Sequence, residues 1–199
     1  MAFNITDFRT AMAYDGQRPN LFQVTITPTT DNVADLQSLK WFCKGTSIPG
    51  ATIGTVIVPY FGREIKLAGN RTFPEWTVTV LNDENFAVRS QFEAWMNKIN
   101  EHSGNMRGVG GGSSDYVKKA QVEQFSKTGK ESVSAKYEFI NIFPTDLSEI
   151  TLDWGDNDTV EEYTVTFSYD YWIRGSLGQS AGYGTQAADI TTKTGTISG

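Results

Sequence analysis

Chemistry-bearing side chains are scarce in this chain of 199 residues, which holds one cysteine, Cys43, and one histidine, His102. A lone cysteine excludes an intramolecular disulfide, and with it the stapled fold of small secreted domains. Without a second His or Cys a zinc site lacks its ligands. His102 closes an amphipathic segment, where a capping role is expected, and Ser103 beside it makes no triad. Cys43 lies in an apolar run and reads as a small buried hydrophobe. Long apolar stretches are missing too. No window approaches the ~20 residues of a membrane span, and residues 1–15 carry neither the basic start nor the apolar run of a signal peptide. The expectation is a soluble protein made in the cytosol. Positive charge is also in deficit, with 17 Lys and Arg against 23 Asp and Glu, a formal net charge of -6. That balance argues against affinity for a phosphate backbone, although an acidic protein can work beside DNA without sticking to it.

What is present is aromatic and strand-like. Hydrophobic residues make up 39% and aromatics 13%, enough to bury a real core. Over residues 160–172 the chain alternates: Tyr163, Val165, Phe167, Tyr169 and Tyr171 against Glu162, Thr164, Thr166, Ser168 and Asp170. Successive side chains of a strand point to opposite faces, so the spacing predicts one long strand with a buried and a polar face. Strands are likewise expected at 20–27, 39–44, 72–81 and 150–154. Hairpins are expected at 55–60 with 63–67, closed by Phe61-Gly62, and at 118–126 with 132–142. Ile48-Pro49-Gly50, Pro144-Thr145-Asp146 and Gly155-Asp156-Asn157-Asp158 read as turns.

One convincing helix interrupts the strands. Asn82 or Asp83 can cap it, and Phe86, Phe92, Trp95, Met96 and Ile99 form its apolar stripe. A shorter turn of helix is expected around 8–12. Most strands are joined by turns, so the fold class is mainly β: an antiparallel sandwich or partly open barrel with one flanking α-helix. Residues 1–17 read as an N-terminal arm and 18–174 as the β domain. Residues 175–199, rich in Gly, Ser and Thr, read as a tail ordered only by a partner.

Enzyme readings fail for lack of parts. The run Gly108–Ser114 has neither the lysine nor the strand-to-helix setting of a phosphate loop. Asp153 to Asp158 supplies several oxygens, but its spacing is not that of an EF-hand, and a polar turn is the simpler reading. The lysines of the second hairpin (Lys118, Lys119, Lys127, Lys130) are interleaved with Glu123, Glu131 and Glu138. Such a mixed-charge surface suits solvent or an interface between copies. No catalytic residue, metal or cofactor is expected.

Several segments together carry a resemblance. Arg18-Pro19-Asn20-Leu21-Phe22-Gln23-Val24 opens the first strand, and Cys43-Lys44-Gly45-Thr46-Ser47-Ile48-Pro49-Gly50 follows the second. The most specific block is Asn70-Arg71-Thr72-Phe73 with Trp76-Thr77-Val78-Thr79-Val80 and Asn82-Asp83. Phe143-Pro144-Thr145 and Leu152-Asp153-Trp154 then lead to Tyr163 through Trp172. From residue 18 to 172 this order resembles the tail tube proteins of contractile-tailed, T4-like bacteriophages. The resemblance implies a virion protein whose hexameric rings stack into a hollow tube, with strands of neighbouring copies merging into an inner barrel. Its partners would be further copies, the sheath, the baseplate or tube-initiator proteins, and passing double-stranded DNA held without specific binding; no membrane is implied. The polar stretch 29–35 and the long tail after Trp172 depart from the expected pattern.

Within that frame the contact between stacked rings is expected at Ser47, Ile48, Pro49, Gly50, Thr52 and Ile53, and an acidic lining of the bore at Glu123, Glu131 and Glu138. Two other readings stand beside it. One is a tube of a related contractile injection or type VI secretion machine carrying protein; the other is a carbohydrate-binding β-sandwich with exposed Trp and Tyr.

Overall fold

The computed structural model describes residues 4–12, 16–28, 36, 38–107, 116–127 and 133–175. The polar stretch 29–35, the glycine-rich run 108–114, Glu131 and the tail from residue 176 lie outside them. In chain order the elements are α1 (Ile5–Ala11), β1 (Phe22–Pro28), α2 (Leu39–Phe42), β2 (Cys43–Thr46), β3 (Thr52–Tyr60), β4 (Arg63–Thr72), β5 (Trp76–Leu81), α3 (Ala87–Ile99), β6 (Lys118–Phe125), β7 (Val133–Leu147), β8 (Glu162–Ser168) and β9 (Tyr171–Arg174).

Every strand pairing among the described residues is antiparallel. Seven strands form one bent sheet in the order β1-β6-β7-β8-β5-β2, with β9 also on β7, while β3 and β4 form a separate two-stranded ribbon. The bend lies in β7. Its first half pairs with β6 and β9, its second half with β8. Between them Asn141 takes a left-handed φ of 56°, a conformation asparagine tolerates better than most residues. Its side-chain amide donates to Asp170 Oδ2 at 2.6 Å, and the Asp170 N–H donates to the Ile140 carbonyl at 3.1 Å. The kink folds the sheet into two layers over a shared core of buried residues that includes Val24, Val78, Val122, Phe139, Val165 and Phe167. β1 and β2 end the sheet without pairing to each other, so the barrel stays open, and α2 packs against β1 and β5.

The expected helix closes the core. Val88, Phe92 and Trp95 are its buried residues, at helical spacing, and the Phe92 and Trp95 rings lie 5.9 and 6.2 Å from Phe167. Asp83 does cap it, from further upstream than usual. Phe86 occupies the capping position in a left-handed conformation, and Asp83 Oδ2 accepts the Ala87 N–H at 3.1 Å. Asn82 is engaged elsewhere, donating to Glu161 at 2.7 Å.

Five expectations need correction. Leu39–Phe42 is a turn of helix and the strand begins at Cys43; Leu39 is fully buried and its N–H donates to the Leu36 carbonyl, so a helical turn suits it. The stretch 72–81 is broken at Phe73-Pro74-Glu75, where proline cannot supply a ladder donor, and the strand is Trp76–Leu81. β7 runs through the supposed turn Pro144-Thr145-Asp146; a register shift there against β8 accommodates the proline. The stretch 150–154 is not a strand, and 160–172 is two strands. Tyr163, Val165, Phe167 and Tyr169 are buried as the alternation required, but the bend at Asp170 reverses the phase: Tyr171 is exposed and Trp172 packs on the core. The cause is the kink in β7, whose two halves need two separate partners.

Trp76 is wholly buried, stacked on Phe139 at 4.3 Å, with its indole N–H donated to the Ser47 carbonyl at 3.0 Å. Replacing it by alanine removes packing and that bond together, so Trp76→Ala is expected to cost roughly 3–5 kcal/mol in urea unfolding. Tyr163 is also buried, yet its hydroxyl finds no hydrogen-bond partner among the described residues. Tyr163→Phe should therefore leave stability unchanged or raise it by up to about 1 kcal/mol in the same measurement. Burial pushes the Cys43 thiol up to about 12, against a weaker opposing contact with the Gly45 backbone. The thiolate, which reacts, is then almost absent at neutral pH, so folded protein should resist a thiol reagent at pH 8 and react quickly once denatured.

Candidate functional site

The loop expected to join rings is built into the fold by two indoles. Trp76 holds the Ser47 carbonyl, and Trp172 donates its N–H to the Gly50 carbonyl at 2.9 Å. Between these clamps Ser47, Ile48 and Gly50 are exposed, whereas Pro49 is buried. Thr52 and Ile53 do not belong to the loop; they are exposed residues opening β3. The clamped loop thus sets the point from which the ribbon of β3 and β4 departs.

That ribbon, residues 52–72, is longer than the pattern predicted. Phe61 (φ 45°) and Gly62 (φ 74°) form its turn, both left-handed as a tight hairpin with the native twist requires. Near its base Gly54 and Gly69 face each other at a register shift; a Cβ on Gly69 would stand 3.1 Å from the Gly54 carbonyl oxygen. Register assigns the faces. Val56 opposes Leu67, Val58 opposes Ile65 and Tyr60 opposes Arg63 on one side, while Thr55, Ile57 and Pro59 oppose Ala68, Lys66 and Glu64 on the other. The first face is apolar, and all the side chains just named on it are exposed, as is Phe61 at the tip, at 91%. A two-stranded ribbon is marginal in water by itself, and a bare apolar face of this kind marks an interaction surface. Hydrophobic alternation made the strands legible; that no layer of the same chain covers them was not.

The two acidic positions of the second hairpin that the structure describes lie on one polar face, and both have cationic partners. Glu123 accepts from Lys136 at 3.0 Å across β6 and β7, and Lys119 stands 3.5 Å from Glu138. Gln121 opposes Glu138 between them, and Thr25 and Gln23 of β1 continue the face. It is therefore charge-balanced and polar rather than acidic. Glu131 lies outside the described residues. Lys118, on the opposite face of β6, is buried to 1% exposure with its ammonium 4.2 Å from the centre of the Trp95 ring.

A surface that sequence reasoning missed is the irregular loop 148–161. It lines, with Glu162, a cleft of about 500 Å³. Ser148 ties its start to β8 through hydrogen bonds with Thr164, and the Glu161 carbonyl accepts the Asn82 N–H at 2.9 Å. Asp153 makes the polar turn expected of it, accepting the Gly155 N–H at 2.8 Å. Trp154 is fully exposed, and Leu152 and Val160 are exposed beside it. The signal was present as an apolar alternation at Ile150, Leu152 and Trp154, which was read as a strand. As for His102, its ring Nδ1 sits 2.9 Å from Asn97 Oδ1 at the helix end, a structural placement.

Comparison with known proteins points the same way as these surfaces. The family model described as "Phage tail tube protein" matches residues 17–175. The chain is 37% identical over 158 residues to tail tube protein gp19 of Enterobacteria phage T4, a match covering 79% of this chain and 91% of that one. It is 25% identical over 169 residues to the tail tube protein of Serratia phage KSP90, covering 83% and 93%. Among solved structures, the sheath/tube terminator of an extracellular contractile injection system superposes with a TM-score of 0.60 at 17% identity, covering 81% of this chain and 97% of that one, which is a likeness of fold. With its full β domain matched and more than a third of the aligned residues identical to the T4 protein, the chain belongs to the phage tail tube protein family.

Proposed function

We propose that this protein is the repeating subunit of the inner tube of a contractile phage tail, with six copies closing a ring and rings stacking into a bore for double-stranded DNA. The observation that carries the reading is the ribbon of β3 and β4, exposed on both faces and apolar on one. Its open edges and bare face are hazards in a solitary chain, and a closed assembly of identical copies removes both. Sheath outside and baseplate or initiator below complete the partners. The role is structural, not enzymatic, and it is exercised in the virion after synthesis in the host cytoplasm. Identity to phage tube proteins favours DNA as the cargo over a protein-injecting machine, for which the likeness is of fold alone.

The polar face of β6 and β7 suits the bore. Lysines neutralised by neighbouring glutamates cannot hold phosphates, so DNA would slide past without being gripped. The clamped loop at Ser47, Ile48 and Gly50, with Thr52 and Ile53, suits the junction between rings.

Electron microscopy of the concentrated protein, alone and with a nucleating baseplate, should show rings or tubes of six-fold symmetry; a chain that stays solitary in both would overturn the reading. In phage carrying Glu123→Lys with Glu138→Lys, the neutral quartet becomes four lysines. Tube length should be unchanged and DNA delivery slowed, and normal infectivity would remove this face from the bore.

A further inference from the structure

Two apolar surfaces left open in the monomer, the ribbon and the cleft loop, lie at opposite ends of one strand. β5 pairs with β8 from Trp76 opposite Phe167 to Leu81 opposite Glu162. The ribbon enters β5 at the Trp76 end through residues 73–75, and the cleft loop enters β8 at the Leu81 end. At the usual rise per residue these ends stand about 17 Å apart.

Their charges are opposite as well. The ribbon carries Arg63, Lys66 and Arg71 against Glu64, a net +2. The segment 149–162 carries six acidic residues and no basic one. Six of the chain's 23 acidic residues are thus in this segment, and the remaining 17 balance its 17 Lys and Arg. The net charge of the protein is in effect the charge of the cleft. Among the described residues, Glu149, Asp153, Asp156 and Asp158 make no ion pair, and neither do the three basic residues of the ribbon. Glu162 is paired with Lys44, and Glu161 accepts from Asn82. So the unpaired acids lie around Trp154, Leu152 and Val160, and on the ribbon the unpaired Arg63 shares the face of Val58, Ile65 and Leu67, while Lys66 belongs to the other face.

We propose that the ribbon of one copy docks, apolar face inward, into the 149–162 cleft of a second copy. The inference rests on the tube reading and names the surface that receives the ribbon. Tyr60 and Phe61 would cover Leu152 and Val160, and Arg63 would lie over the Trp154 ring, a favoured partner for a guanidinium. The contact joins different patches on the two copies and so repeats head to tail instead of closing as a symmetric pair, which is the geometry a polymer needs. The acidic rim rejects a second cleft, so wrong pairings are suppressed.

The test uses full-length protein. Arg63→Glu, and separately Asp153→Lys with Asp156→Lys, should each raise the concentration needed for tubes by roughly tenfold or abolish them. Because all three sites are exposed, circular dichroism melting should not move. Combining both sets in one chain should restore assembly. As a second readout, copies bearing Phe61→Cys mixed with copies bearing Trp154→Cys should yield a dimer with a short bismaleimide that neither variant gives alone. Tubes from wild type together with unimpaired reversals, or no mixed dimer, would overturn this contact and leave the tube reading standing. A wild-type chain that never assembles would overturn both.

Discussion

The face-to-face contact of Trp76 with Phe139, 4.3 Å between ring centres, is the joint on which the molecule turns. Trp76 belongs to one layer of the folded sheet and Phe139 to the other, so the stack holds the layers together across the core. Phe167 lies 5.4 Å from the same indole and passes the contact to the helix through Phe92 and Trp95. The polar edge of Trp76 does separate work. By holding the Ser47 carbonyl it anchors the loop from which the ribbon leaves, and Trp172 repeats the device at Gly50. Buried indoles need an acceptor for their N–H, and here the acceptor is the backbone that must be aimed outward.

The same constraint organises the surface. Core, helix and both sheet layers are self-sufficient, with aromatic side chains filling the space between them. α1 and Trp41 also leave apolar side chains open, but the larger share lies in two places. Apolar exposure concentrates in the ribbon and in the cleft loop, and acid excess concentrates in the cleft. A protein selected to assemble only in order must be incomplete at defined places, and separating the charges keeps like patches apart.

Much of this was legible in the residues, and the rest was hidden for definite reasons. Strand identity in β1, β3, β4, β5, β6 and β8 followed from two-residue alternation, and α3 from the stripe through Phe92 and Trp95. The misreadings fall where local pattern and tertiary demand part. Residues 150–154 alternate like a strand, but they join no sheet, so Leu152 and Trp154 stand in water. Residues 39–42 spell a strand, yet the burial of Leu39 is achieved by a turn of helix. Among the residues expected at the ring junction, Pro49 proved to be buried, and of the acids expected in the bore, Glu123 and Glu138 proved to be paired with lysines across the hairpin.

Sequence by itself determined the class of the fold, the alternating strands, the single core helix and the family, because these depend on periodicity and local order along one chain. Tertiary structure alone decided that β7 would kink at Asn141 and split the last strand in two, since that bend exists only where two sheet layers compete for the same strand. It also decided which apolar faces stay uncovered. Exposure is set by what packs on a surface, and no residue carries that information until the rest of the chain has found its place.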